Sequence, residues 1–248
     1  PLAAASIINR LQTSSALPLL ISADFETGVG FRIGGATTFP RAMAFGAVDD
    51  DRLAFQAGRI TAIEARALGV HVNFAPVVDV NNNPRNPVIN TRSFGEDPKM
   101  VARLAAAYVR GLVDGGMIAT VKHFPGHGDT DVDSHLGLPL ITHPRDRLDR
   151  VEIPPFRAGI DAGAAAVMTS HIELPGLEPD PERPATLSRR IVTELLREEL
   201  GFDGLIYTDS MRMRGITDLV RPAQAAVGAV VAGHDAVVHS QDDGAAFN

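Results

Sequence analysis

Between Lys122 and His135 the chain reads Lys-His-Phe-Pro-Gly-His-Gly-Asp-Thr-Asp-Val-Asp-Ser-His. Seven ionisable side chains fall within these fourteen residues, including three of the eight histidines. Pro125, Gly126 and Gly128 interrupt any helix or regular strand, so the segment reads as a long polar loop. His123, His127, Asp129, Asp131, Asp133 and His135 are all residue types that ligate first-row metals. Their spacing matches neither HExxH nor the DxDxDG-x5-E calcium loop, and no metal site is assigned. The pair Asp133 and His135 suits proton transfer better. A carboxylate two residues from an imidazole holds one ring nitrogen and leaves the other to give or take a proton, and histidine titrates at roughly 6.5. Asp209 closes the apolar run Leu205-Ile-Tyr-Thr-Asp209. It reads either as a carboxylate nucleophile forming an ester at a sugar carbon or as the cap of a following helix. Around Asp79, the residues Asn81, Asn82 and Pro84 make a turn, and a structural role is expected for that acid.

Regular elements must carry these residues. Apolar runs predict strands at Pro18–Asp24, His71–Val80, Ile118–His123, Ala165–His171, Gly204–Asp209 and Asp235–His239. Most are continuously apolar, as parallel strands covered on both faces are. Helices are predicted between them. Leu53, Ala57, Ile60, Ile63 and Ala67 share a three-to-four spacing, with Asp49 or Asp50 as cap and Gly69 as stop. Asp97–Pro98 opens a second helix with Val101, Leu104, Tyr108 and Leu112 on one face. Ser188 caps a third that ends at Leu200–Gly201, and Pro222 starts a fourth that ends at Gly233. Strand–helix alternation without a linker predicts a single parallel α/β domain over residues 1–248.

Several strands end in polar residues: Asp24, Asp79, Lys122–His123, Ser170–His171 and Asp209. A (β/α)8 TIM-type barrel builds its site from such strand ends. No glycine-rich GxGxxG turn or GxxxxGK[ST] loop is present to suggest a nucleotide-binding open sheet.

Composition narrows the function classes. The 248 residues are 45% hydrophobic and 21% charged, enough for one sizeable core. The absence of cysteine excludes a disulfide scaffold and a thiol nucleophile. A net charge of −7 and a pI near 5.6 argue against a nucleic-acid partner. No apolar run reaches the roughly 20 residues that cross a bilayer. The chain starts at Pro1, so a leader or lipid anchor stays open; a cytoplasmic location is favoured, with a lipoprotein or secreted form as alternatives.

KHFPGHGDTDVDSHLGLP (Lys122–Pro139) together with LIYTDSM (Leu205–Met211) resembles the family 3 glycoside hydrolases, and within them the β-N-acetylglucosaminidase branch. Matching segments are the DxExG pattern at Asp24–Gly28, NFAPVVDV at Asn73–Val80 and NTRSFGEDP at Asn90–Pro98. The D-S-H insertion is the specific part, because family 3 β-glucosidases generally lack it. One departure is visible: Thr27 stands where the family usually has glycine, and Val29 where arginine often follows. The resemblance implies that Asp209 is the nucleophile and His135 the general acid/base, oriented by Asp133. It implies that Asp24, Arg92, Lys122 and His123 grip sugar hydroxyls, that Arg32 lies near the sugar, and that His171 and Met211 line the pocket. No cofactor is implied.

The reaction implied is two-step retaining hydrolysis of terminal N-acetyl-β-D-glucosamine from peptidoglycan-derived muropeptides. With an imidazole replacing the usual second carboxylate, inorganic phosphate is expected to compete with water. Alternatives are a family 3 β-glucosidase or other exo-glycosidase, and a non-catalytic sugar-binding barrel. Six strands rather than eight imply a barrel without its first two βα units. Its open edges are then expected to be covered by a further segment or by an oligomeric neighbour.

Overall fold

Five of the six apolar runs form one parallel sheet in the computed structural model, which describes residues 1–239. The strands are β1 (Ser22–Ala23), β2 (Val72–Asn73), β3 (Ile118–Phe124), β4 (Ala166–Thr169) and β5 (Leu205–Tyr207). They lie side by side in chain order, every pairing parallel. Sequential parallel neighbours joined by helices are the winding of a (β/α) barrel, here curled through part of its circumference. The sixth run, Asp235–His239, lies beside β5 through one parallel bridge between Tyr207 and Ala236 and does not form a regular strand. Its carbonyls take amides from the segment after β5: Thr208 N donates to Ala236 O at 3.1 Å and Met211 N to Val238 O at 2.9 Å.

Every strand except β3 is shorter than its apolar run. Beyond Ala23 and Asn73 the chain leaves the ladder towards the carboxyl end of the sheet, where the polar residues lie. Pro76 has no N–H to donate, and the run after β2 is held to β3 irregularly, with Thr120 N bonded to the Ala75 carbonyl at 3.1 Å, a bridge at Val77 and Val78 N bonded to the Lys122 carbonyl at 2.8 Å.

Helix α1 (Leu2–Ser14) precedes β1; α2 (Ala42–Val48) and α3 (Asp51–Ala67) connect β1 to β2, and α4 (Pro98–Asp114) connects β2 to β3. Helices α5 (Arg145–Val151) and α6 (Ile153–Asp161) precede β4, and a π-helix (Arg190–Glu199) precedes β5. Helices α7 (Arg214–Thr217) and α8 (Pro222–Ala232) follow it. The expected caps form. Asp50 accepts from Arg52 N, Asp97 from Lys99 N and Ser188 from Ile191 N. Gly69 and Gly233 take positive φ at the ends of α3 and α8.

Most of the spaced residues that mark α3 in the sequence lie outside its buried face. Leu53, Ile60 and Ile63 are exposed, while Ala54, Ala57, Gly58, Thr61, Ala62 and Ala65 are buried. The reason is close packing on α4. A Cβ on Gly58 would stand 2.3 Å from the Tyr108 carbonyl oxygen, and one on Gly111 2.1 Å from that of Phe55. The two backbones approach so nearly that only small residues fit between them. In α4 the predicted stripe is the buried one: Val101, Leu104, Tyr108 and Leu112 all join the core.

Candidate active site

The carboxyl ends of the strands surround a cavity of about 420 Å³. Its floor is a network of charges. Asp24 follows β1 directly, and Asn73 of β2 holds that segment in place by accepting from Phe25 N at 2.9 Å. Lys122, in β3, donates to Asp24 at 2.8 Å and lies 2.9 Å from Glu26. Its side chain is only 3% exposed, so the ammonium depends on these two carboxylates. Arg92, at the end of a 3-10 turn (Asn90–Arg92), makes a two-pronged bond to Glu26 at 2.8 and 3.0 Å. Burial opposes the Glu26 charge, but Lys122 and Arg92 outweigh it and hold the carboxyl well below the usual range.

His123 faces the same cavity as Lys122, its neighbour in β3. In a regular strand adjacent side chains point to opposite faces. Here the pairing with β4 shifts register between Lys122 and Phe124, which leaves His123 out of the ladder and turns it inward. The ring is then fixed on both sides: Asp79 Oδ2 at 2.7 Å from Nδ1, and Arg92 Nη2 at 3.2 Å from Nε2. Asp79 does have a structural role, though by a different route from the expected turn. It is buried, accepts from His127 N at 2.7 Å, and carries the His123 ring. Burial raises its pKa, and the charges of His123 and His127 together with their hydrogen bonds more than offset that rise, leaving it low.

Asp209 lies two residues past the end of β5, tied by its amide to the Thr169 carbonyl at 3.1 Å. Its Oδ1 accepts from Ser210 N at 2.7 Å. Burial disfavours its charge; the His123 and His171 rings, that amide and Lys122 act against burial and lower its pKa. A carboxylate kept ionised beside a cavity suits nucleophilic attack.

The loop after β3 brings His135 to the same cavity, and Asp133 holds its ring without lining the space. Asp133 Oδ1 is 2.8 Å from His135 Nδ1 and also accepts the His135 amide at 2.9 Å. The imidazole is 60% exposed and lines the cavity together with Asp209.

Asp24, Arg32, Arg92, Lys122, His123, His135 and Asp209 all line this one space. Arg32 reaches Asp24 at 3.4 Å. Two expectations are corrected, since neither His171 nor Met211 lines the cavity. His171 is fully buried one layer behind it, with Nε2 3.0 Å from the Ser210 carbonyl and Nδ1 2.8 Å from Thr186 Oγ1. Met211 packs against Ile216, Ala225 and Ala229. Residues missed in the sequence are Glu26, the second acid of the DxExG pattern, and Phe31 and Arg41, which line the cavity and stack guanidinium on ring. Among the described residues no group of three or more His, Asp or Glu is arranged to hold a metal ion. Asp129 instead contacts His143 at 2.5 Å, and His127 bonds Thr130 and Ser134.

A parallel barrel with a charged cavity at the carboxyl ends of its strands is the class of protein that fold and site define. A family model described as the glycosyl hydrolase family 3 N terminal domain matches residues 3–246, and the chain belongs to that family. It is 43% identical over 239 residues to Beta-hexosaminidase A of Pseudoalteromonas piscicida, covering 90% of this chain and 40% of that protein. It is 36% identical over 240 residues to a protein of Cellulomonas fimi named Beta-N-acetylglucosaminidase/beta-glucosidase, covering 94% of this chain and 43% of the relative. A solved family 3 β-N-acetylglucosaminidase from Paenibacillus sp. str. FPU-7 superposes with a TM-score of 0.92 at 48% identity, covering 95% of this chain and 46% of the other. The chain thus spans less than half the length of these relatives.

Proposed function

We propose that residues 1–248 form one catalytic barrel domain of a retaining exo-glycosidase that releases terminal N-acetyl-β-D-glucosamine. One observation carries this reading: Asp209 and His135, the latter held by Asp133, open on the same cavity. In the first step Asp209 attacks the anomeric carbon while protonated His135 gives its proton to the departing oxygen. In the second, His135 takes a proton from water, which cleaves the ester and preserves the configuration. Asp24, Lys122, Arg92 and His123 hold the sugar hydroxyls through charge-assisted bonds, with Arg32 at the mouth. The resemblance extends the substrate to peptidoglycan-derived muropeptides.

A second reading, cleavage of β-glucosides, is favoured by the double name of the Cellulomonas fimi relative. Rates on nitrophenyl N-acetylglucosaminide and on nitrophenyl glucoside separate the two. The first substrate is expected to be the better by at least about tenfold, and the reverse order would select the glucosidase. No turnover of either would indicate a sugar-binding barrel. In phosphate buffer, some sugar 1-phosphate is expected beside free sugar, and its complete absence would remove that part of the reading.

The partner this chemistry calls for is a carbohydrate, and no helix among the described residues is long and apolar enough to cross a membrane. Leu2, Leu17 and Leu20, which precede the edge strand β1 in the chain, are exposed, and a further segment or a second copy is expected to cover them. Light scattering on the full-length protein tests the second copy.

A further inference from the structure

The loop that carries Asp133 and His135 stands away from the barrel at its tip. Asp131, Val132, His135 and Leu136 are exposed, and Ser134 is the one buried residue between 131 and 138. That residue is held twice. Its Oγ lies 2.9 Å from His127 Nε2, and its carbonyl accepts from Gly215 N at 3.0 Å. The approach to Gly215 is tight, since a Cβ there would stand 3.1 Å from the Ser134 carbonyl oxygen.

His127 is itself anchored to the barrel. Its amide donates to Asp79 Oδ1 at 2.7 Å, its carbonyl accepts from Asn86 Nδ2 at 2.8 Å, and its Nδ1 is 2.7 Å from Thr130 Oγ1. A neutral imidazole has one donor and one acceptor nitrogen, and hydroxyls on both sides satisfy either tautomer. A chain of contacts therefore runs from Asp79, which also fixes His123, through His127 to Ser134. The residues on either side of Ser134 are Asp133 and His135. Gly215 belongs to α7, in the segment that continues from Asp209.

We propose that the contact between Ser134 and His127 is a latch that sets the His135 ring against the cavity, making both positioning residues for proton transfer. This rests on the reading of His135 as acid/base. Opening the latch lets the tip swing, and the dyad then spends less time near the departing oxygen. Ser134 and His127 also border the cavity, so the latch is told apart from a sugar contact by its dependence on the leaving group. Misplacing a proton donor without removing it lowers a rate by about tenfold or more.

The test uses the full-length protein and kcat/KM, which reports the first chemical step, on two N-acetylglucosaminides. One carries a 2,4-dinitrophenyl group that departs without a proton, the other a methyl group that needs one. Ser134→Ala is expected to lose about tenfold on the methyl glycoside and under threefold on the dinitrophenyl glycoside. His127→Phe, which fills similar buried space without ring nitrogens, is expected to show the same selectivity. In a His135→Ala background Ser134→Ala should cost nothing further, because the group it positions is gone. Equal losses on both substrates, or a full additional loss in that background, would overturn the latch. If His135→Ala fails to separate the substrates, the acid/base reading falls first and the latch with it.

Discussion

Four carboxylates approach the cavity, and their partners divide them into different jobs. Glu26 is taken up by Arg92 and Lys122, Asp24 by Lys122 and Arg32, and Asp79 by His123 and His127. Asp209 is bonded to the amide of its own neighbour and faces the space that His135 borders. Asp209→Ala is therefore expected to lower kcat by about 10⁴-fold or more, measured on the nitrophenyl substrate. His135→Ala should depend on the leaving group, with the larger loss where a proton must be given. Glu26 makes a separate, pH-dependent prediction. Its carboxyl titrates below its ordinary value of 4.5, so its stabilising effect is complete above about that pH and is lost as the pH falls through the folded-state value. Glu26→Gln is expected to cost about 3 kcal/mol at pH 7, because Lys122 stays buried with one partner fewer. Urea midpoints from pH 7 down to 3 should fall less steeply in the variant; an identical acid slope would contradict the assignment. The placement of Asp209 and His135 at the cavity, and the pairing of Asp133 with His135, are legible because strand ends and short local pairs show in sequence. The role of Glu26 is not, since it depends on Arg92, sixty-six positions away. His171 was placed wrongly because a strand end shows that a residue is near the rim but not which layer it occupies.

At the scale of elements, apolar runs located the sheet and capping residues located α3, α4 and α8, but the runs overstate the strands. Residues such as Ala75 to Val78 are buried and bonded to β3 at single points, but they fall outside the regular strand β2. Helices α5 and α6 leave no clear mark in the sequence: seven and nine residues long, with Pro154 and Pro155 in the first turn of α6, they carry too few turns for a periodic pattern. The exposed side of α3 shows a different limit. Its large aliphatics gave the visible stripe, whereas the face that packs is built from glycine, alanine and threonine. That packing is testable. Gly111→Ala places a methyl group against the Phe55 carbonyl and should cost about 1–3 kcal/mol, read as a lower thermal midpoint with KM unchanged. An unchanged midpoint would mean that α3 and α4 are not so close.

For the molecule as a whole, the winding of parallel strands places one end of every strand on a common rim. Groups from β1, β3, the loop after β3 and the end of β5 meet there although 185 positions separate Asp24 from Asp209. The core beneath, from Val72 through Val121 and Val167 to Ile206, is what keeps that rim in shape. The proposed reaction depends on a transient bond between one carboxylate and the sugar. A 5-fluoro N-acetylglucosaminyl fluoride forms such an ester quickly and releases it slowly, so digestion and peptide mass analysis locate the attachment. The mass increment is predicted on the peptide containing Asp209 and on no other. Attachment to Asp24 or Glu26, or turnover of the reagent with no covalent adduct at any stage, would contradict it.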